Sequence, residues 1–161
     1  MRIFLFVFRH TFCVAFFLTK KNRSDMQLTL IKNYDDTKSV SYKIARIIYA
    51  ETNACALHTV EAFASMIYNI HVKYNKSFKD IAGDKNMFNA LNENSQRHNL
   101  MNVTPDDKKF QMCLRVAQKM MRGNLRDCVF GATNFHHVDV MPDWARARGY
   151  IAECDDLLFY L

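Results

Sequence analysis

Only 4 glycines and 2 prolines interrupt the 161 residues of this chain. A fold made of many short strands needs frequent tight turns, and those turns draw on these two residue types. Their scarcity favours helices and argues against an all-β sandwich. At 50% hydrophobic and 13% aromatic residues the chain is too apolar for disorder. A domain of this length buries roughly two thirds of its unfolded surface. One helix-rich globular domain is expected.

Apolar spacing places the helices. Val40, Ile44, Ile47 and Ile48 recur on one helical face, with Ser39 or Ser41 as the cap. A break is expected at 52–55, then a second helix from Leu57 to Tyr74 whose stripe is Val60, Phe63, Ala64, Ile67, Ile70 and Tyr74. Residues 75–104 are rich in Asn, Asp, Lys and Ser and read as a long loop with single helical turns. The next helix has the clearest signals, with Thr104 as cap, Pro105 in its first turn, Asp106 and Asp107 at its positive end, and Gly123 as its stop. Its buried stripe is Phe110, Leu114, Ala117 and Met121, and the Met-rich run Met112, Met120 and Met121 reads as core filler. Residues 131–137 and 157–161 read as short extended segments.

The formal charge of +6 is unevenly spread: residues 1–25 carry +4 and residues 26–161 only +2. A nucleic-acid binder shows a basic stripe on its folded body, so nucleic acid is not expected as a partner. The five cysteines, at 13, 55, 113, 128 and 154, form no CxxC pair, which favours buried free thiols over a disulfide framework. Residues 3–8 and 12–18 are apolar runs separated by Arg9 and His10 and followed by Lys20, Lys21 and Arg23. Three readings stay open: a weak signal or anchor, an amphipathic membrane attachment, or an extension from a misplaced start upstream of Met26. The expected organisation is therefore 1–25 as an apolar and basic segment, 26–39 as a lead-in and 40–161 as the domain. The cell envelope or periplasm is the expected location if residues 3–18 act as a signal or anchor, and otherwise the cytoplasm until release.

One carboxylate breaks the pattern. Glu51 lies four residues after Ile47 and three after Ile48, so it falls on the apolar stripe at the C-terminal end of the first helix. Burial among isoleucines and the negative end of the helix dipole both favour a carboxyl that keeps its proton. Cleavage of a glycosidic bond needs such a group to protonate the leaving oxygen. The alternative is a rim glutamate paired with Arg46 or a lysine.

The order of motifs narrows the choice. Ala45-Arg46-Ile47-Ile48-Tyr49-Ala50-Glu51, an apolar helix, an Asn/Phe segment, a helix ending in Arg-Gly, Gly131-Ala132-Thr133-Asn134-Phe135-His136-His137, and Pro142-Asp143-Trp144 follow one another. Over residues 40–161 the chain resembles the SleB-type cell wall hydrolases of bacteria, which open with an ARxxYAE helix and close with GAxxFH, Pro-x-Trp and a terminal aromatic segment, here Phe159-Tyr160. The resemblance implies an α+β, mainly helical, lysozyme-like domain of the goose-lysozyme or lytic-transglycosylase kind, with a small β element near its C-terminus and peptidoglycan glycan strands as substrate. It also implies Glu51 as catalytic acid and Asn69, Phe88, Phe135, His136 and Trp144 as substrate-binding residues. Two departures stand out: Ala54-Cys55 where relatives carry Gly-Glu, and Glu153-Cys154-Asp155-Asp156 in place of Gly-Asn-His. With one strong carboxylate, lytic transglycosylation is preferred to hydrolysis, unless Glu61, Asp139 or Asp143 faces Glu51.

Rival readings remain. His136 and His137 on an extended segment point to opposite faces, so a shared metal is not expected, nor any cofactor; one is read as groove-lining and the other as surface. Cys55 with either histidine would make a cysteine peptidase. Trp144 suits either sugar stacking or a half-buried structural role. An inactive wall-binding or purely structural domain is the remaining class, and a monomer is expected.

Overall fold

The computed structural model describes residues 36–54 and 56–161, so the N-terminal segment, most of the lead-in and Cys55 lie outside the described residues. The architecture is α+β and about half helical, with a small sheet at the C-terminal end. Helix α1 spans Val40–Thr52 and α2 spans Leu57–Tyr74. A short α3, Phe78–Ile81, and single-turn segments at Asn89–Leu91 and Gln96–Asn102 cross the middle of the chain before α4, Lys108–Met121. Among the described residues no helix is long and apolar enough to cross a membrane.

Ser39 caps α1, accepting from the Tyr42 N–H at 3.2 Å. Asn53 ends the helix in the left-handed region at φ 50°, a conformation asparagine tolerates. The face carrying Ile44, Ile47 and Ile48 is fully buried and packs against α4. Tyr42 and Tyr49 meet the Phe110 ring edge-on, at 4.9 and 6.0 Å between centroids. The expected α2 stripe is buried except for Tyr74, the last residue of the helix, which is exposed.

Helix α4 begins three residues later than the Thr104 signal suggests. The Asp107 N–H bonds back to the Thr104 carbonyl at 3.1 Å, closing a turn before the helix. Asp107 then caps it, accepting from the N–H groups of Lys109 at 2.7 Å and Phe110 at 2.9 Å. A carboxylate satisfies two orphan donors and the positive helix end together, so it displaces threonine as the cap. It also accepts from the Tyr49 hydroxyl at 3.2 Å, which ties α4 to α1. Asp107→Ala is therefore expected to lose about 1–2 kcal/mol in urea unfolding. A loss within error of zero would show that the cap contributes nothing. At the other end Gly123, at φ 70°, turns the chain; Met120 is fully buried and Met121 packs half-buried against the core.

Three antiparallel strands follow, β1 at Asn134–His137, β2 at Ala152–Cys154 and β3 at Leu157–Tyr160, in the order β1-β3-β2. Central β3 buries Leu157, Phe159 and Tyr160, with Phe159 opposite Phe135 and Leu157 opposite His137. β2 and β3 are joined by Asp155-Asp156, with Asp155 at φ 50°. Asp155 accepts from the Thr59 hydroxyl in the first turn of α2. That contact anchors the hairpin turn to a helix whose own N-cap, Ala56, has no side-chain bond.

Candidate active site

Glu51 ends the buried face of α1 and is itself 0% exposed. Its surroundings differ from a purely apolar notch. Oε1 accepts from the Ala90 N–H at 2.7 Å, and Oε2 lies 3.2 Å from His137 Nε2 and 3.9 Å from Arg97 Nε. Each partner comes from a different element: the single-turn segment after Phe88, strand β1, and the segment Gln96–Asn102. The ion partner is thus Arg97 rather than Arg46, whose guanidinium lies over the Tyr42 ring at 4.9 Å. Arg97 also donates to the last carbonyls of α1, Ala50 at 3.3 Å and Glu51 at 3.0 Å, groups that a helix end leaves without partners.

β1 directs its alternate side chains to two sides, as its extended backbone requires. His137 faces Glu51. His136 faces an aromatic cluster, stacked on Tyr160 at 5.3 Å with Trp144 edge-on at 5.9 Å, and its Nε2 lies 2.8 Å from the Tyr160 hydroxyl. Neither histidine is on the surface, because α1 with Arg97 covers one side of β1 and Trp144 with Tyr160 covers the other. Among the described residues no three His, Cys, Asp or Glu side chains are grouped to hold a metal ion.

A groove runs beside β1 in two adjoining lobes. The first, about 150 Å³, is lined by Met66, Ile70, Phe88, Thr133 and Asn134 together with Asn86, Met87, Phe135 and Trp144. The second, about 210 Å³, shares those last four and adds Asn89, His136, His137, Val140 and Pro142. Phe135, His136 and Trp144 thus come together on one groove, and Trp144, 41% exposed, forms its open edge. Phe88 is 1% exposed and forms the groove's inner wall, against Phe63 and Phe135. Glu51 lines neither lobe; it sits directly behind His137, which does.

Asn69 stands apart from the groove lining. Its amide donates to the Ala132 carbonyl at 3.2 Å and to Asp127 at 3.4 Å, anchoring the loop that leads into β1. Of the other carboxylates, Glu61 pairs with Lys119, Asp143 pairs with Arg146, and Asp139 is exposed. The carboxylate that does approach is Asp156, with Oδ2 3.7 Å from His137 Nδ1. Arg97 and Asp156 are the site residues that spacing did not reveal.

The Cell Wall Hydrolase family model matches residues 61–160 of the chain. The chain belongs to the cell wall hydrolase family. As a SleB-type cell wall hydrolase domain, it has a peptidoglycan-degrading function. The matched segment includes Asn69, Phe88, Phe135, His136 and Trp144 and begins after Glu51. Neither a curated protein nor a solved structure matches the chain.

The thiols of this cell wall hydrolase divide by burial. Cys113 is buried in α4, Cys154 is half-buried and Cys128 is exposed; Cys55, required by the peptidase reading, lies outside the described residues. Burial pushes the Cys113 thiol up to about 12, with the charge of Asp107 adding to it. An unfolded thiol ionises near 8.5, so the neutral native thiol adds stability that is fully present below that pH. It is lost as pH rises toward the native value. Alkylation at pH 8 is expected to modify Cys128 while Cys113 reacts only on unfolding. Equal rates at the two would contradict the burial.

Proposed function

We propose that this cell wall hydrolase cuts the MurNAc–GlcNAc glycan strand of peptidoglycan as a lytic transglycosylase in a lysozyme-like domain, with Glu51 as its acid and base. One observation carries the reading. A fully buried carboxyl at a helix end shares its Oε2 with His137, and His137 lines an aromatic groove. When the imidazole leaves Oε2 and a proton takes its place there, Glu51 gives that proton to the glycosidic oxygen and the C1–O bond breaks. The resulting carboxylate takes the proton of the sugar's 6-hydroxyl, whose oxygen bonds to C1. Glu51 regains its proton and no water is consumed. Phe135 and Trp144 offer faces for sugar rings, and the amides of Asn86 and Asn89 offer partners for N-acetyl groups.

The one-carboxylate mechanism rests on the other acids: Glu61, Asp139 and Asp143 make no contact with Glu51, and Asp156 meets the opposite edge of the His137 ring. Purified sacculi digested with the protein should yield anhydro-muramyl ends by mass spectrometry. Reducing ends would replace transglycosylation with hydrolysis. A second reading is a wall-binding domain without cleavage, favoured by the complete cover over Glu51 and the donors on both of its oxygens. Sacculi that retain the protein and release no fragments would establish it.

A further inference from the structure

We propose that Arg97 is a positioning residue that fixes His137 as the Nε2–H tautomer, so that the imidazole donates to Glu51 Oε2. Arg97 Nη2 lies 3.0 Å from His137 Nδ1. A guanidinium has donors and no acceptor, so Nδ1 must accept. A neutral imidazole whose Nδ1 accepts carries its proton on Nε2, and Nε2 faces Glu51 Oε2 at 3.2 Å. The opposite tautomer would set two donors against each other across 3.0 Å and leave Oε2 without its hydrogen bond.

Arg97 is itself held for this task. Its Nη1 spans the Ala50 and Glu51 carbonyls, and its side chain is 23% exposed. One planar fork thereby links the end of α1, the imidazole and the carboxylate. Lysine carries the same charge but lacks the rigid fork that reaches the carbonyls and the ring together. The charged groups facing the ring are Glu51 from α1, Arg97 from the Gln96–Asn102 segment and Asp156 from the hairpin turn. Among the described residues the buried Asp156 Oδ1 has no hydrogen-bond partner, and Oδ2 stands 3.7 Å from the nitrogen that Arg97 occupies. Where His137 takes a second proton, Nδ1 must leave Arg97, and Asp156 is the acceptor beside it.

The catalytic consequence rests on Glu51 doing the chemistry; the tautomer does not. Long-range nitrogen–proton correlation spectra of the ¹⁵N-labelled full chain, assigned by the signals lost in His137→Gln, read the tautomer directly. A protonated Nε2 and an acceptor Nδ1 are expected at neutral pH, and a protonated Nδ1 would overturn the proposal. In folded Arg97→Lys the tautomers should mix. Its kcat on sacculi should fall about tenfold to a hundredfold with KM little changed. An unchanged tautomer in that variant would also overturn the proposal. Activity retained in Glu51→Gln would remove Glu51 as the acid while leaving the tautomer result standing, so the two failures are distinguishable.

Discussion

Phe88→Ala is expected to lose about 3–5 kcal/mol of stability, most of what a marginally stable domain has. The ring is 1% exposed and packs 5.9 Å from Phe63 and 6.5 Å from Phe135. Removing it leaves a void between α2 and β1 that neither regular element can close without moving its backbone. The same residue precedes the turn whose Ala90 N–H holds Glu51, so the cavity opens next to the carboxylate. Phe88→Leu keeps most of the volume and should cost about 1 kcal/mol. Urea unfolding of the two variants checks this. A loss under about 1 kcal/mol for the alanine variant would mean that Phe88 reports on ligand contact rather than on packing.

Glu51→Ala is expected to cost about 3 kcal/mol or more in the same assay, for a different reason. Its removal strands the Ala90 N–H, the His137 Nε2–H and part of the Arg97 charge in a closed space. An unpaired buried donor costs about 1–3 kcal/mol, and breaking one side of a buried ion pair about 3–5 kcal/mol. Arg97 can hydrate through its exposed edge, which holds the figure to the lower end. Ala90 is the one partner whose donor cannot rotate away, because its N–H belongs to the backbone. Mutation of Arg97 together with Glu51 should then cost less than the two single losses added. Additive losses would show that the two groups are not coupled.

The sequence pattern conveyed local regularities well and long-range encounters poorly. The face of α1 that ends in Glu51, the limits of α2 and the extended character of 134–137 all follow from spacing between near neighbours. The α4 cap does not follow from spacing, because Thr104 and Asp107 both suit a helix start and only the turn closed by the Thr104 carbonyl decides between them. β2 is three residues long, too short for alternation to register, and its sequence Ala152–Cys154 has no apolar run. Arg97 was invisible for a different reason. It lies 46 residues beyond Glu51 in a polar stretch, and nothing local distinguishes it from a solvated arginine. Asp156 falls within a departure from the expected closing motif, and only the hairpin turn carries it to the edge of His137.

Burial of Glu51 was legible for the same reason as its helix face; its donors were not, because each comes from another element. That matters for Glu51→Gln. The amide oxygen can still accept from Ala90, but its NH₂ then meets the Nε2–H of His137, and Arg97 opposes the tautomer that would relieve the clash. A stability cost of about 1–3 kcal/mol is expected, so activity must be compared where circular dichroism shows the variant folded.

The most direct measurement is the rate of fragment release from purified sacculi by folded Glu51→Gln beside the native protein. A fall of about a hundredfold to ten-thousandfold is expected if this carboxyl moves the proton. Release within about threefold of the native rate would contradict the account and move the chemistry to another residue of the groove.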